Sequence, residues 1–453
     1  MTQIAVSAGA SASVNLVAGS KLLLTGQGTY RIGPRGTSQR PTVDELIDTF
    51  VTIGPFEDSC TVQIWAASSG ATYEMSAPTD GVDQTGRPLV SGGGNNVKLP
   101  KWRRALAKVR AGTANANLMA LGDSTTAGSF ATGNGYVASA RSMSYPTQLA
   151  ALMATATGLP INLNTFAGSN AGSSDFLAYD PRWTSLGTNW TVGAIPSFGG
   201  SLIGNNNAGN YTTAKFQTSG ITDTVDIWYL QNTSYGTFTV SIDGGQSTSA
   251  NIVAAGAISM QKVTKTFTRG SNHVLEFNKV ADGNVFIAGF CAYDSQVKSV
   301  NIFNGGYPGK KASDFVANTN VWDPLPMLGT FAPDLTLLNI NINDWIAGTA
   351  AATFTSQMQT IITQAQLSGD VLLQTGMPSK ITSATQAAQD AITVATRLLA
   401  QPLNIPVVDV SSAWCDYTTA VASGYFLPAN DVVHPGAAGY ANAALLISQV
   451  ISA

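Results

Sequence analysis

The chain predicts an α/β protein: a parallel sheet covered by helices on both faces, interrupted by an inserted β-sandwich and preceded by a small all-β module. Three observations predict it. Strand and helix patterns alternate after residue 298, the stretch 181–297 is β-only, and residues 1–76 read as short strands between Gly, Ser and Pro turns. Alternation implies parallel pairing, because a crossover helix returns each strand in the same direction and covers a face of the sheet.

Taken in order, Val14 to Val17, Leu22 to Leu24, Tyr30 to Ile32, Val51 to Ile53 and Val62 to Trp65 are the short strands of the first module. Residues 77–98 pass through Gly86 and the Ser91-Gly92-Gly93-Gly94-Asn95-Asn96 cluster, a flexible-linker composition, so a boundary is expected near residue 97. Pro100 suits a first helical turn, where its missing N–H costs nothing. Trp102, Leu106 and Val109 then recur at helical spacing through Leu99 to Ala111, and Lys101, Arg103, Arg104, Lys108 and Arg110 read as a solvated face.

Leu118 to Leu121 is a short apolar strand ending at Gly122-Asp123-Ser124, and Tyr145 to Thr155 reads as a helix. Later strands are expected at Val300 to Phe303, Leu335 to Ile340, Val371 to Leu373 and Pro406 to Val410. Helices at Phe354 to Ala365 and Ala384 to Ala400 separate them, and Ala437 to Ile451 closes the chain. Within 181–297, Val225, Ile227 and Tyr229 alternate against Phe238, Val240 and Ile242, and Val285 to Phe290 adds a strand. The α/β domain is therefore expected in two pieces, 99–180 and 298–453.

Composition narrows the function. A chain of 453 residues exceeds one ordinary core, so two or three packed units are expected. Charged residues make up 11%, against roughly 25% in ordinary soluble domains. A net charge of -3 and a pI near 5.4 provide no field for phosphate backbones, so no nucleic-acid partner is expected. The apolar runs are strand-length and predict no membrane span. Met1-Thr2-Gln3-Ile4-Ala5-Val6 shows no basic segment followed by an apolar one, so the chain is expected to be cytoplasmic or exported by another route. Cys60, Cys291 and Cys415 have no metal-ligand spacing and read as isolated buried thiols, with no disulfide framework or metal site.

Of two histidines, His434 follows Asp431 by three residues in Asn430-Asp431-Val432-Val433-His434-Pro435-Gly436. A serine hydroxyl becomes a nucleophile near neutral pH when an imidazole takes its proton, and an imidazole does this best when a carboxylate holds its other nitrogen. Ser124, at the carboxyl end of a strand, is placed to face a crevice. Alone, Gly122-Asp123-Ser124 also reads as an ordinary turn, Asp431 as a turn cap and His434 as packing beside Pro435. His273 reads as a surface or strand residue of the β insert.

Acyl transfer further needs donors aimed at a tetrahedral oxyanion. Two Gly-rich segments qualify, Asn304-Gly305-Gly306-Tyr307-Pro308-Gly309 and Ala167-Gly168-Ser169-Asn170-Ala171-Gly172, and either is equally an ordinary loop. Asn341-Ile342-Asn343-Asp344 ends another strand and puts an amide at the same sheet edge.

Together, Gly122-Asp123-Ser124, a later Gly, Asn343 before Asp344, and Asp431-x-x-His434 resemble the four sequence blocks of the SGNH, or GDSL-type, hydrolase superfamily. The resemblance implies a flavodoxin-like three-layer α/β/α fold and ester hydrolysis, often of acetyl groups on carbohydrates. It implies a nucleophile at Ser124, a base at His434, an orienting acid at Asp431, and an oxyanion hole from Ser124 N–H, Gly309 N–H and the Asn343 side chain. Gly309 fits the second block, Asn-x-Gly-x-x-Gly, and Gly172 is the fallback. Asn341 stands where the third block has Gly, which suggests a residue tolerant of left-handed backbone, and the first block reads Gly-Asp-Ser-Thr.

Insertion of a β-sandwich between the first two blocks resembles polysaccharide and peptidoglycan O-acetylesterases with a carbohydrate-binding-like module there. The N-terminal module and low charge resemble bacteriophage tail or fibre proteins bearing such an esterase. These resemblances imply removal of O-acetyl groups from a bacterial surface polysaccharide through an acyl-serine, without metal or organic cofactor. Trp345 either stacks on a sugar or packs in the core. A virion location, or an extracellular one, other tail proteins as partners and a homotrimer are the matching expectations, with the N-terminal module serving attachment or oligomerisation. The rival reading is a glycan-binding receptor or adhesin subunit with a vestigial hydrolase domain; a lipase or thioesterase would instead prefer long acyl chains.

Overall fold

The computed structural model describes six N-terminal strands and residues 98–452, apart from 134–138, 171–174, 207–208, 210–211, 248–250, 318, 382–384 and 428–430. The chain divides into two units, Met1–Asn95 and Asn96–Ala453. Residues 77–97 of the expected linker lie outside the described residues.

The first unit is one antiparallel sheet of β1 (Thr2–Val6), β2 (Ser11–Leu16), β3 (Lys21–Pro34), β4 (Glu45–Ile47), β5 (Phe50–Ile53) and β6 (Cys60–Ser76). β6 pairs with β1, β2 and β3, and β3 also pairs with β4 and β5. Uniformly short strands are not what forms. Glycines that read as breaks are absorbed into two long paired strands, with one register shift between Gly26 and Gly28.

The second unit begins with α1 (Pro100–Arg110), β7 (Ala116–Gly122), α2 (Ser124–Ala127), α3 (Ala140–Met143), α4 (Tyr145–Thr157), β8 (Ile161–Asn162), β9 (Thr165–Phe166) and α5 (Phe176–Tyr179). α1 buries Trp102, Ala105, Leu106 and Val109 and leaves Lys101, Arg104, Lys108 and Arg110 exposed, the amphipathic division its spacing predicts. Trp102 Nε1 donates to Ile451 O at 2.9 Å, which ties this first helix to the last.

The β-only stretch forms β10 (Trp183–Ser185), β11 (Trp190–Ser197), β12 (Gly200–Asn205), β13 (Thr213–Gln217), β14 (Ile221–Gln231), β15 (Thr237–Ile242), β16 (Gln246–Ser247), β17 (Ile252–Val253), β18 (Ser259–Ser271), β19 (Val274–Lys279) and β20 (Val285–Tyr293). They make two antiparallel sheets, ordered β10-β13-β19-β15-β16 and β11-β12-β20-β14-β18, with β17 added to the first and β9 to the second. Trp183, Phe216 and Phe277 of one sheet meet Phe290 of the other at ring separations of 5.7, 4.8 and 5.2 Å. The central strands β12, β14 and β20 of the second sheet are buried on both faces, while its edge strand β18 is not. Trp228 on β14 stacks on Phe331 at 4.3 Å, so the insert shares a core with the α/β layer.

The α/β part resumes with β21 (Val300–Gly306), α6 (Ala312–Val316), α7 (Pro324–Phe331), β22 (Leu335–Asn339), α8 (Ile342–Ile346), α9 (Ala351–Gln366), β23 (Asp370–Gln374), α10 (Gln386–Ala400), β24 (Val407–Val408), α11 (Val410–Trp414), α12 (Tyr417–Ala422) and α13 (Ala437–Ile451). Its parallel sheet runs β24-β23-β22-β7-β21-β8. Met119 and Leu121 of β7 enter one core with Ile361 of α9 and Ile392 of α10. The intervening Leu118 and Ala120 take the opposite face by the pleat, where α4 and α13 pack together. This is the expected three-layer architecture.

Two smaller expectations are corrected. The strand expected over Pro406 to Val410 is only two residues, because the Asp409 side chain accepts from Ser412 N–H at 3.1 Å and starts a helix instead. Cys291 is a buried thiol as expected, but Cys415 is exposed. Among the described residues, no helix is long and apolar enough to cross a membrane.

Candidate active site

Strand order reverses about β7: the chain moves first to β8 and β21 on one side and later to β22 on the other. That reversal opens a crevice at the carboxyl ends of these strands. Gly122 ends β7 opposite Gly306 and Asn339. A Cβ at Gly122 would lie 2.1 Å from Thr126 Oγ1 and 2.5 Å from Asn339 O, so only glycine allows the turn. Asp123 then caps α2, its Oδ1 accepting from Thr125 N–H at 2.8 Å and Thr125 Oγ1 at 2.7 Å. Burial pushes the Asp123 carboxyl upward in pKa, against the Thr125 and Asn341 hydrogen bonds and the nearby His434.

Ser124 is the first residue of α2 and is 6% exposed. Behind it, Thr126 Oγ1 meets Tyr145 OH at 2.9 Å and Asn339 Nδ2 donates to Thr125 Oγ1 at 2.8 Å. Asn304 Nδ2 donates to Thr126 O at 3.0 Å and fastens β21 to the same turn. The turn carrying Ser124 is thus held on three sides by buried polar groups.

His434 arrives on the segment before α13. Phe426 bridges Pro435, Gly436 N–H donates to Tyr425 O at 2.9 Å, Lys380 N–H to Val432 O at 2.9 Å, and Ser379 Oγ to Val433 O at 2.8 Å. These bonds bring His434 Nε2 to 2.8 Å from Ser124 Oγ across 310 positions of sequence. Phe130 stacks on the imidazole with centroids 5.1 Å apart and planes at 15°.

Asp431 Oδ1 accepts from His434 N–H at 2.7 Å. Its Oδ2 lies 3.2 Å from His434 Nδ1, an ion-pair distance but off the axis of the ring N–H. Such contacts are commonly loose before substrate arrives. Burial raises the Asp431 pKa, but the hydrogen bonds and charge of His434 and the Val433 N–H outweigh it and hold the carboxyl below its usual range. An anionic Asp431 favours the tautomer with the proton on Nδ1, leaving Nε2 to accept from Ser124.

On the opposite side, Tyr307 N–H donates to Gly122 O at 2.7 Å, laying the loop after β21 across the end of β7. Gly309 in that loop has φ +75°, and a Cβ there would meet open space. Asn343 Nδ2 donates to Lys310 O at 3.0 Å, which joins the two expected oxyanion segments and leaves the second amide hydrogen for a ligand. The N–H groups of Ser124 and Gly309 have no hydrogen-bond partner among the described residues. The structure therefore brings together Ser124, Asp431 and His434, and joins the loops of Gly309 and Asn343 beside the same sheet edge.

Residues 285–441 match the GDSL-like Lipase/Acylhydrolase family. This GDSL-like segment contains Gly309, Asn343, Asp431 and His434 and starts beyond Ser124, which the insert separates from it. Among solved structures, the chain is similar to a peptidoglycan O-acetylesterase, at 14% identity over 78% of this chain and 95% of that one, with a TM-score of 0.56. It is also similar to a lipase/acylhydrolase from Enterococcus faecalis, at 22% identity over 34% of this chain and 76% of that one, with a TM-score of 0.29. An acetyl xylan esterase matches at 20% identity over 32% of this chain and 78% of that one, with a TM-score of 0.26. The first likeness establishes the shared fold, insert included. No curated protein matches the sequence.

Several expectations change around the candidate site. Trp345 is 3% exposed within the apolar cluster, so it packs in the core and offers no face to a sugar. Asn341 has φ -142°, so its backbone needs no left-handed conformation. His273 is buried, not a surface residue, and its Nδ1 meets Asp243 Oδ2 at 2.7 Å, away from the site. Gly172 lies outside the described residues. A cavity of about 170 Å³ lined by Arg141, Asp180, Arg182 and Asn304 contains none of Ser124, Asp431 or His434, so the candidate site is defined by hydrogen-bond geometry and not by this cavity. Among the described residues, no cluster of His, Cys, Asp or Glu could hold a metal ion.

Sequence reasoning missed Phe130 and the polar support behind Ser124. Asn339 ends β22, Asn341 caps α8 and Asn343 lies in its first turn, and this cluster of amides just after an apolar strand was available as a signal. Nothing in the sequence marks Phe130.

Proposed function

We propose that this chain is a serine carboxylic ester hydrolase that removes O-acetyl or other short acyl groups from a bacterial surface polysaccharide. The observation that carries the reading is the 2.8 Å contact of His434 Nε2 with Ser124 Oγ, with Asp431 3.2 Å behind the ring. His434 takes the hydroxyl proton as Oγ attacks the ester carbonyl. Charge developing on the carbonyl oxygen is met by the N–H groups of Ser124 and Gly309 and the free amide hydrogen of Asn343. The intermediate collapses as His434 protonates the departing alcohol, leaving an acyl-Ser124. Water, deprotonated by His434, then releases the acid and restores the hydroxyl. Anionic Asp431 stabilises the imidazolium formed in each half.

The β insert supports a polymeric glycan substrate, because a β-sandwich sharing a core with the catalytic layer offers surface for chain binding beyond one sugar. The similar peptidoglycan O-acetylesterase supports an acetyl ester on a carbohydrate. A virion tail or extracellular location, attachment or trimerisation through the six-stranded N-terminal sheet and contacts with other tail proteins complete the proposal. The assembled Ser124, His434 and Asp431 favour catalysis over a purely glycan-binding role.

The deciding experiment incubates the protein with acetylated polysaccharides and with short- and long-chain p-nitrophenyl esters, and identifies the acid released. Acetate from polysaccharide, with labelling of Ser124 by a fluorophosphonate, is expected. Retention of glycan without acid release would establish a binder, and preference for long chains a lipase or thioesterase.

A further inference from the structure

Asn341, where the family's third block has glycine, uses every polar atom of a side chain that is 3% exposed. Its Nδ2 donates to Gln374 O at 2.9 Å and Asn339 Oδ1 at 3.3 Å, while its Oδ1 lies 3.0 Å from Thr396 Oγ1 and shares that hydroxyl's single hydrogen with Ile392 O at 2.9 Å. The residue is therefore clasped between the ends of β22 and β23 and the buried face of α10. Glycine could make none of these three bonds.

The same residue faces both halves of the chemistry. Its N–H and that of Ile342 each lie 3.4 Å from Asp123 Oδ2, on the carboxylate whose other oxygen caps the Ser124 helix. Its carbonyl accepts from Asp344 N–H at 3.1 Å and Trp345 N–H at 3.2 Å, which winds the turn that carries Asn343. The Ser124 turn and the Asn343 turn thus meet at the backbone of one residue, and its buried side chain holds that backbone in place.

We propose that Asn341 is a positioning residue that sets the spacing between Ser124 and the Asn343 amide, acting on the transition state and not on substrate capture. The proposal rests on the esterase reading above. Misplacement of a catalytic group by about 1 Å costs on the order of 100-fold in rate, so loss of the clasp is expected to be visible in kcat.

The test measures kcat, KM and melting temperature on p-nitrophenyl acetate for wild type, Asn341→Ala, Thr396→Val, Asn343→Ala and the two double variants with Asn343→Ala. Asn341→Ala is expected to lower kcat by about 30- to 100-fold with KM changed less than about threefold, and Thr396→Val, which removes one bond of the clasp, by about 3- to 10-fold. Each double variant is expected to be within about threefold of Asn343→Ala alone, because positioning an absent amide has no effect. Losses that multiply in the double variants, or a lowered melting temperature with unchanged kcat, would reduce Asn341 to a structural role and overturn the proposal. Should Asn341→Ala not fold, the Thr396→Val pair decides by the same criterion. A wild type that turns over no ester overturns the esterase reading itself, and the parent protein alone reveals that failure.

Discussion

The two sides of the reactive centre are held by different physics. Ser124 stands on a turn whose neighbours are buried and bonded: Asp123 is 0% exposed, and Thr125, Thr126, Asn304 and Asn339 interlock behind it. His434 and Asp431 keep side-chain exposures of 14% and 16% on a segment held mainly by bonds to its backbone, two of them from the Ser379 and Asp431 side chains, and by one ring stack. A low-dielectric polar network resists displacement, since any shift leaves an unpaired buried group. The base segment can adjust, which suits an imidazole that shuttles protons between two oxygens. The nucleophile side is therefore expected to respond to substitution mainly through folding, and the base side mainly through rate.

The largest expected effect is chemical and common to both. Ser124→Ala and His434→Ala should each lower kcat for acetyl esters by about a million-fold with the far-ultraviolet spectrum unchanged. Appreciable turnover by either variant removes the assigned mechanism. Next comes Asp431→Asn, expected to cost about 10,000-fold in kcat through the wrong imidazole tautomer.

Asp431 also has a pH signature. Its folded pKa is depressed, so the stability it contributes is full above the unfolded value of about 3.9 and fades as pH falls through the lower folded value. Acid denaturation of Asp431→Asn should lack that portion of the fade. An identical acid profile would mean the ion pair contributes nothing to the base segment.

Gly122→Ala tests the opposite side. The overlap with Thr126 Oγ1 and Asn339 O should destabilise the protein by about 1–3 kcal/mol, read in denaturant unfolding. A fully stable variant would show that the nucleophile's turn yields as readily as the base segment. Phe130→Ala, the smallest effect, removes a stacked ring worth about 0.5–1.5 kcal/mol and should slow turnover by about 3- to 10-fold with little loss of stability. A loss confined to melting temperature would erase the contrast between the two sides.

Much of this arrangement was legible in the residues. Gly122-Asp123-Ser124 at the end of an apolar strand and Asp431-x-x-His434 before a final helix are local patterns, and backbone geometry at Gly122 is dictated by a contact only glycine allows. Helical spacing located α1 and α9, and β-only alternation located the insert, because amphipathic periods follow from which face is buried. Trp345 was ambiguous for a reason: an indole suits a core and a sugar platform equally, and only neighbours decide.

By itself, then, the sequence determined the α/β class, the β insert and the candidate residues that the structure brings together, all of which follow from local period and residue chemistry. Only the tertiary structure decided that Phe130 covers the imidazole, that Asn341 links Asp123 to the turn of Asn343, and that the central strands of the insert's second sheet are buried on both faces. Those contacts join segments distant in sequence, and no local pattern encodes which buried donor will find which acceptor once the sheet brings its strand ends together.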